Sequence, residues 1–171
     1  MSPIAFASIG GASVASPSAA DTGLEFRLLR PELLTELVAF FRAIADGQDR
    51  AFFHPHPMTE AEAARICSYG GRDLYYAACA SGRIVAYGIL RGWDEGYDIP
   101  SLGIAVHPEA RGRGLARPFM AFLHAAAKQR GANKVRLTVY GDNQRAAELY
   151  RRLGYVFSPK NDRELLGILD L

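Results

Sequence analysis

Arg111, Gly112, Arg113, Gly114, Leu115 and Ala116 follow directly on an apolar run, Ser101 to Val106 (SLGIAV), and a turn at His107, Pro108 and Glu109. From Pro118 to Arg130 the apolar residues recur with helical spacing, so the small and basic residues fall at a strand-to-helix turn. The first amides of a helix have no partner inside it, and glycine lets a bulky anion come close to the backbone. The helix dipole adds partial positive charge, and Arg111, Arg113 and Arg117 add formal charges. This is a cradle for a polyphosphate. It is not the P-loop, which needs Lys and then Ser or Thr where this chain has Leu115 and Ala116. Nor is it the dinucleotide fingerprint, which needs three glycines early in a βαβ unit and an acidic residue about twenty positions on.

Arg111, Gly114 and Ala116 do fit the pattern Arg/Gln-x-x-Gly-x-Gly/Ala. A strand-like Lys134 to Tyr140 (KVRLTVY) comes next, and Asp142 to Tyr150 reads as a capped helix closed by Gly154. The segment Asn143 to Tyr155 (NQRAAELYRRLGY) supplies a second motif. Over Ser101 to Phe157 the chain resembles the GNAT family of acyl-CoA N-acyltransferases. The resemblance implies an α/β domain of the α+β type, with a mostly antiparallel mixed sheet of about six or seven strands and about four helices. It also implies acetyl-CoA as acyl donor, with its pyrophosphate on the amides from Arg111 to Ala116. The pantetheine arm would lie along Ile104, Ala105 and Val106, where this strand and the next splay apart. Asn143 is then a pantetheine contact, or simply a helix cap in competition with Asp142. Tyr150 occupies the place of the acid that protonates the leaving thiolate, and the Val106 amide is a candidate for the oxyanion. Gly103 either lets the strand bend or is a core glycine.

An ammonium acceptor must lose a proton before it attacks, and Glu95, Asp98, His54 and His56 are the candidate bases, with Ser101 able to hold a relay water. Trp93, Asp94, Glu95, Gly96 and Tyr97 mix aromatic and acidic groups that suit a sugar ring and a cationic amine, although Trp93 is equally a packing residue at a turn. Phe53, His54 and His56 border the same cleft if the first two helices flank it, as the resemblance implies. Two histidines separated by one proline, with no third ligand, do not make a metal site. The expected reaction is acetyl transfer to the primary amine of a small molecule, an amino sugar or nucleotide-linked amino sugar being favoured. A protein N-terminus or lysine is the alternative acceptor, and a non-catalytic acyl-CoA-binding module the rival class.

The elements that must position these groups fit one domain of 171 residues. Residues 1–22 are rich in Ala, Ser and Gly, lack Lys and Arg, and read as a flexible tail; residues 23–171 read as a single domain. Glu25 to Leu29 alternates as a first strand. Pro31 starts a helix with Leu33, Leu34, Leu37, Val38, Phe41 and Ile44 on one face, ended by Gly47. Thr59 and Glu62 form a capping-box pattern for a second helix that stops near Gly70 and Gly71. Leu74 to Ala80 and Arg83 to Leu90 flank Ser81 and Gly82, a hairpin signal. Arg163 to Leu171 reads as an edge strand paired with Tyr155 to Ser158. A net charge of +2 with dispersed basic residues argues against a nucleic-acid surface. No apolar run reaches the length of about twenty residues that a membrane span needs, so a soluble, cytoplasmic protein, monomer or homodimer, is expected. Cys67 and Cys79 read as buried, reduced thiols.

Overall fold

Ser81 and Gly82 both take positive φ, 49° and 76°, as a tight hairpin requires. They join β2 (Leu74–Ala80) to β3 (Arg83–Arg91). Around this hairpin the computed structural model, which describes residues 23–46 and 52–171, builds one seven-stranded sheet. The other strands are β1 (Leu24–Leu28), β4 (Ser101–Val106), β5 (Lys134–Tyr140), β6 (Val156–Pro159) and β7 (Glu164–Asp170). Their order is β1-β2-β3-β4-β5-β7-β6. Every neighbouring pair is antiparallel except β4 and β5, which are parallel and in register at a single pair, Ser101 with Arg136.

Strand alternation sends each face of the sheet to a different helix layer. Tyr75, Ala77, Tyr87 and Ile89 pack against α1 (Leu34–Ala45) and α2 (Glu60–Cys67), where Leu37, Phe40, Phe41 and Ile44 are buried. Ala86, Leu90, Val135 and Leu137 pack against α3 (Ala116–Gln129), which buries Phe119, Met120 and Leu123. Burying each of these large side chains stabilises the fold by about 1.5–3 kcal/mol. Gly88 permits the close approach of α3, since a Cβ there would lie 2.8 Å from both Leu123 Cδ1 and Phe119 Cζ. The fourth helix, α4 (Gln144–Arg152), covers the same face.

Several expectations shift. Pro31–Leu33 forms a 3-10 turn ahead of α1, and Phe40 is buried in place of the half-buried Leu34 and Val38. Thr59 caps α2 by accepting the Glu62 N–H at 3.2 Å, but the Glu62 carboxylate bonds Arg65 instead of closing the box, and the helix ends at Cys67. Asn143, not Asp142, caps α4: its Oδ1 accepts the Ala146 N–H at 3.2 Å. The last strand is not an edge. β7 pairs along its whole length with β5, so the short β6, ending at Pro159 with Val156 76% exposed, takes the edge. Both cysteines are buried and free. Gly47 and residues 1–22 lie outside the described residues.

Candidate active site

The single Ser101–Arg136 pair makes a slot. Past it, β4 and β5 separate, and among the described residues no residue of β4 beyond Ser101 pairs in register with β5. A cavity of about 150 Å³ fills the gap, bordered by Gly103, Ile104, Ala105 and Val106 on one side and Thr138 and Tyr140 on the other, with Asn143 and Tyr150. Exposed strand backbone of this kind can hydrogen-bond an extended, amide-bearing ligand arm.

On the α3–α4 face the slot meets a cavity of about 390 Å³ lined by Ile104, Val106, Gly112, Gly114, Leu115, Ala116, Arg117, Asn143, Arg145 and Tyr150. Gly112 and Gly114 take φ of +75° and +74°, the left-handed region that glycine enters without strain, and this turns the loop into the helix. Among the described residues no side chain caps α3, so its first amides are open to an anion. The Arg111 guanidinium folds back onto the Val106 carbonyl, through Nε at 3.3 Å and Nη2 at 3.2 Å, and ties the loop to the end of β4. Burial, with the neighbouring Arg145 cation, pulls Arg111 below its ordinary value. Two like charges held together at one cavity mark a place for an anion. Arg145, which the sequence reading did not single out, lines the cavity, whereas the exposed Arg113 does not.

Tyr150 lies between this cavity and the slot and borders both. Burial pushes its hydroxyl up to about 12, so it keeps its proton at neutral pH. Its ring packs 5.8 Å from Tyr155, whose hydroxyl meets His124 Nε2 at 2.8 Å.

On the opposite, α1–α2 face the slot opens into a third cavity, of about 460 Å³. Phe53, His54, Glu95, Tyr97 and Ser101 line it, and so do Arg91, Arg136, Thr138, Tyr140 and Glu164. The His54 and Tyr140 rings are stacked, with Nε2 3.3 Å from the hydroxyl. Three expected residues are elsewhere. Trp93 is buried in the core on the other face, under the Arg130 guanidinium. The His56 side chain is 5% exposed and bonds the buried Tyr87 hydroxyl at 2.8 Å, a core position. Asp98 borders a separate groove with Trp93 and Arg130. The loop after β3, which carries Trp93 and Asp98, is anchored by the Asp73 carboxylate, which accepts the amides of Gly92 and Trp93, both at 2.9 Å. Gly103 belongs to the cavity floor: a Cβ there would sit 2.9 Å from Ile89 Cγ1. Arg136, Thr138 and Tyr140 had a signal in the sequence, since they alternate with Val135, Leu137 and Val139, but that pattern alone reads as a solvent face.

An open mixed sheet split between two parallel strands, with a glycine-turned helix start at the split, is the GNAT fold. The GNAT domain of S. lividans PAT superposes with a TM-score of 0.74 at 19% identity, over 85% of this chain and 89% of that one. A GNAT-family acetyltransferase from Streptococcus pneumoniae gives 0.69 at 20% identity, over 86% and 99%. PaiA N-acetyltransferase from Thermoplasma acidophilum, solved in complex with coenzyme A, gives 0.69 at 16% identity, over 86% and 99%. Residues 39–155 match the model of the Acetyltransferase (GNAT) family, and the chain belongs to that family. Acetyltransferase SG1711 of Sodalis glossinidius (strain morsitans) is 34% identical over 83 residues, 48% of this chain and 57% of that protein, so the match spans little more than half of the relative's length.

Proposed function

We propose that the protein transfers an acetyl group from acetyl-CoA to the primary amine of a small molecule. The observation that carries this reading is the slot: it shares Ile104, Val106 and Tyr150 with the cavity on the α3–α4 face, and Phe53, Gly103 and Tyr140 with the cavity on the α1–α2 face. Donor and acceptor then reach one point from opposite sides of the sheet, and no ligand need cross the core.

Acetyl-CoA supplies an acetyl thioester. In this reading the amides from Gly112 to Ala116, with Arg117 and Arg145, hold its phosphates, and the edge of β4 that faces the slot holds its pantetheine arm. A β5-facing amide of β4, that of Val106 being the candidate, meets the negative charge that develops on the carbonyl oxygen. The amine nitrogen bonds to the acetyl carbon as the carbon–sulfur bond breaks. Tyr150 gives its proton to the departing sulfur, and the nitrogen's second proton, lost as the amide forms, restores the Tyr150 hydroxyl. The proton lost by the ammonium goes to Glu95 or His54. His54 is the better placed, because its partner Tyr140 borders both the acceptor cavity and the slot. Of the expected acceptors, an amino sugar loses the support of Trp93, and Arg136 covers the Tyr97 ring with its guanidinium carbon 5.0 Å from the centroid.

Thermal unfolding with acetyl-CoA, CoA or ATP tests the donor, and mass spectrometry of an amine panel tests the transfer. Acetyl-CoA and CoA, but not ATP, are expected to raise stability, by about 2.7 kcal/mol at a hundredfold excess over the dissociation constant. No shift would refute the coenzyme assignment. A shift with no acetylated amine would favour the non-catalytic acyl-CoA-binding module, and acetylated peptides alone would favour a protein N-terminus or lysine as acceptor.

A further inference from the structure

Resting on the acetyl-transfer reading, we infer that the acceptor amine also carries an anionic group, a carboxylate or a phosphate, seated between the guanidinium groups of Arg91 and Arg136. Arg91 pairs with Ser101 across β3 and β4, and Ser101 pairs with Arg136 across β4 and β5. Residues in register on adjacent strands share a face, so the three side chains form one row across the sheet at the floor of the acceptor cavity. Neighbouring strands lie about 4.8 Å apart, which sets the two arginine Cα atoms roughly 10 Å apart with a hydroxyl between them.

Both guanidinium groups hydrogen-bond to neutral partners, with the Glu62 carboxylate also within electrostatic reach of Arg91. Arg91 donates through Nη1 to the Pro55 carbonyl at 2.9 Å, and Arg136 donates through Nε to the Ser101 hydroxyl at 2.8 Å while lying over Tyr97. Among the described residues neither forms a salt bridge with a carboxylate. Donors therefore remain on each fork, and forked donors match the paired oxygens of a carboxylate or phosphate. The cavity's own carboxylates do not supply that anion. Glu164 is taken by Asn161 Nδ2 at 2.7 Å and Lys160 Nζ at 3.1 Å. Glu95, on the loop after β3, is the acidic group left to meet an ammonium. The row stands where the two strands still touch, and the slot opens two to three residues further along β4. An acceptor anchored by its anion at the row thus extends its amine toward the slot.

The test uses matched pairs: 4-aminobutanoate with 4-aminobutanamide, 6-aminohexanoate with 6-aminohexanamide, and O-phosphoethanolamine with ethanolamine. Each is measured twice, as turnover with acetyl-CoA and as calorimetric binding to the CoA-saturated protein. At least a tenfold preference for the anionic member of one pair is expected. The carboxylate and phosphate arms show which anion is taken. In Arg91→Gln and Arg136→Gln the preference should fall toward one, and the CoA thermal shift reports whether each variant is folded. Arg136→Lys should recover only part of it, because charge remains without the fork. Equal binding within every pair, including none at all, overturns the inference, as does a preference that survives in the double variant. Equal acetylation of charged and neutral members would sink the anion site and leave acetyl transfer standing. An anion-dependent binding preference with no acetylation would do the reverse.

Discussion

Arg136 donates through Nε to the Ser101 hydroxyl at 2.8 Å, at the one register pair where β4 and β5 meet. The same contact closes one end of the slot and fixes a guanidinium at the floor of the acceptor cavity. One pair of residues therefore stands both at the end of the slot and at the floor of the cavity on the α1–α2 face.

Tyr150→Phe keeps the ring and removes the proton. Turnover is expected to fall at least tenfold, about 1.4 kcal/mol in barrier, with coenzyme affinity nearly unchanged. Steady-state kinetics beside calorimetry checks this, and unchanged turnover would mean that another group protonates the sulfur.

Gly114 tests the cradle through two variants. A Cβ at this position meets nothing within 4 Å, so Gly114→Ala carries only the backbone strain of a φ of +74°, about 1–2 kcal/mol of stability. Gly114→Glu adds a carboxylate where the phosphates would sit, and CoA binding should vanish. Retained affinity in the Glu variant would refute the phosphate assignment.

Gly103→Val is expected to act on the acceptor side. The added Cβ would press on Ile89 Cγ1 at 2.9 Å and lie 3.3 Å from Phe53 Cε2, so destabilisation of about 1–3 kcal/mol should accompany a raised acceptor KM. The CoA thermal shift should persist. Loss of CoA binding with acceptor kinetics intact would contradict the division of the two cavities.

Acidification should destabilise the fold through His56. Burial lowers its pKa from the ordinary 6.5, and the Pro57 carbonyl and Glu62 only partly offset this. Between the folded value and 6.5 the unfolded chain binds more protons than the folded one. Stability is therefore complete above 6.5 and is lost as pH falls through that window. Melting temperatures at pH 7.5 and 5 should differ more for the wild type than for His56→Gln. A residual slope is expected, because burial also lowers His124.

Local sequence was enough wherever a few neighbouring residues decide the backbone. The Ser81–Gly82 hairpin, the span Ser101–Val106, the glycine-turned loop and the span Lys134–Tyr140 all follow from short-range rules of turn geometry and alternation. Tyr150 and Asn143 were singled out through the resemblance carried by one short motif, and both border the slot. Partners distant in the chain were decided only by tertiary structure. Trp93 and His56 read as cleft residues because their composition suits a ligand, yet the anchoring of the loop by Asp73 and the hydroxyl of Tyr87 drew them into the interior. Arg91 and Arg136 read as ordinary strand polarity. They became a pair only when β3, β4 and β5 were laid side by side. β7 was expected at an edge until its pairing with the full length of β5 placed it inside. A strand's own residues determine its alternation and length, but its neighbours are set by hydrogen bonds and packing across the sheet. The candidate site, which lies in the gap between two strands, exists only at that level.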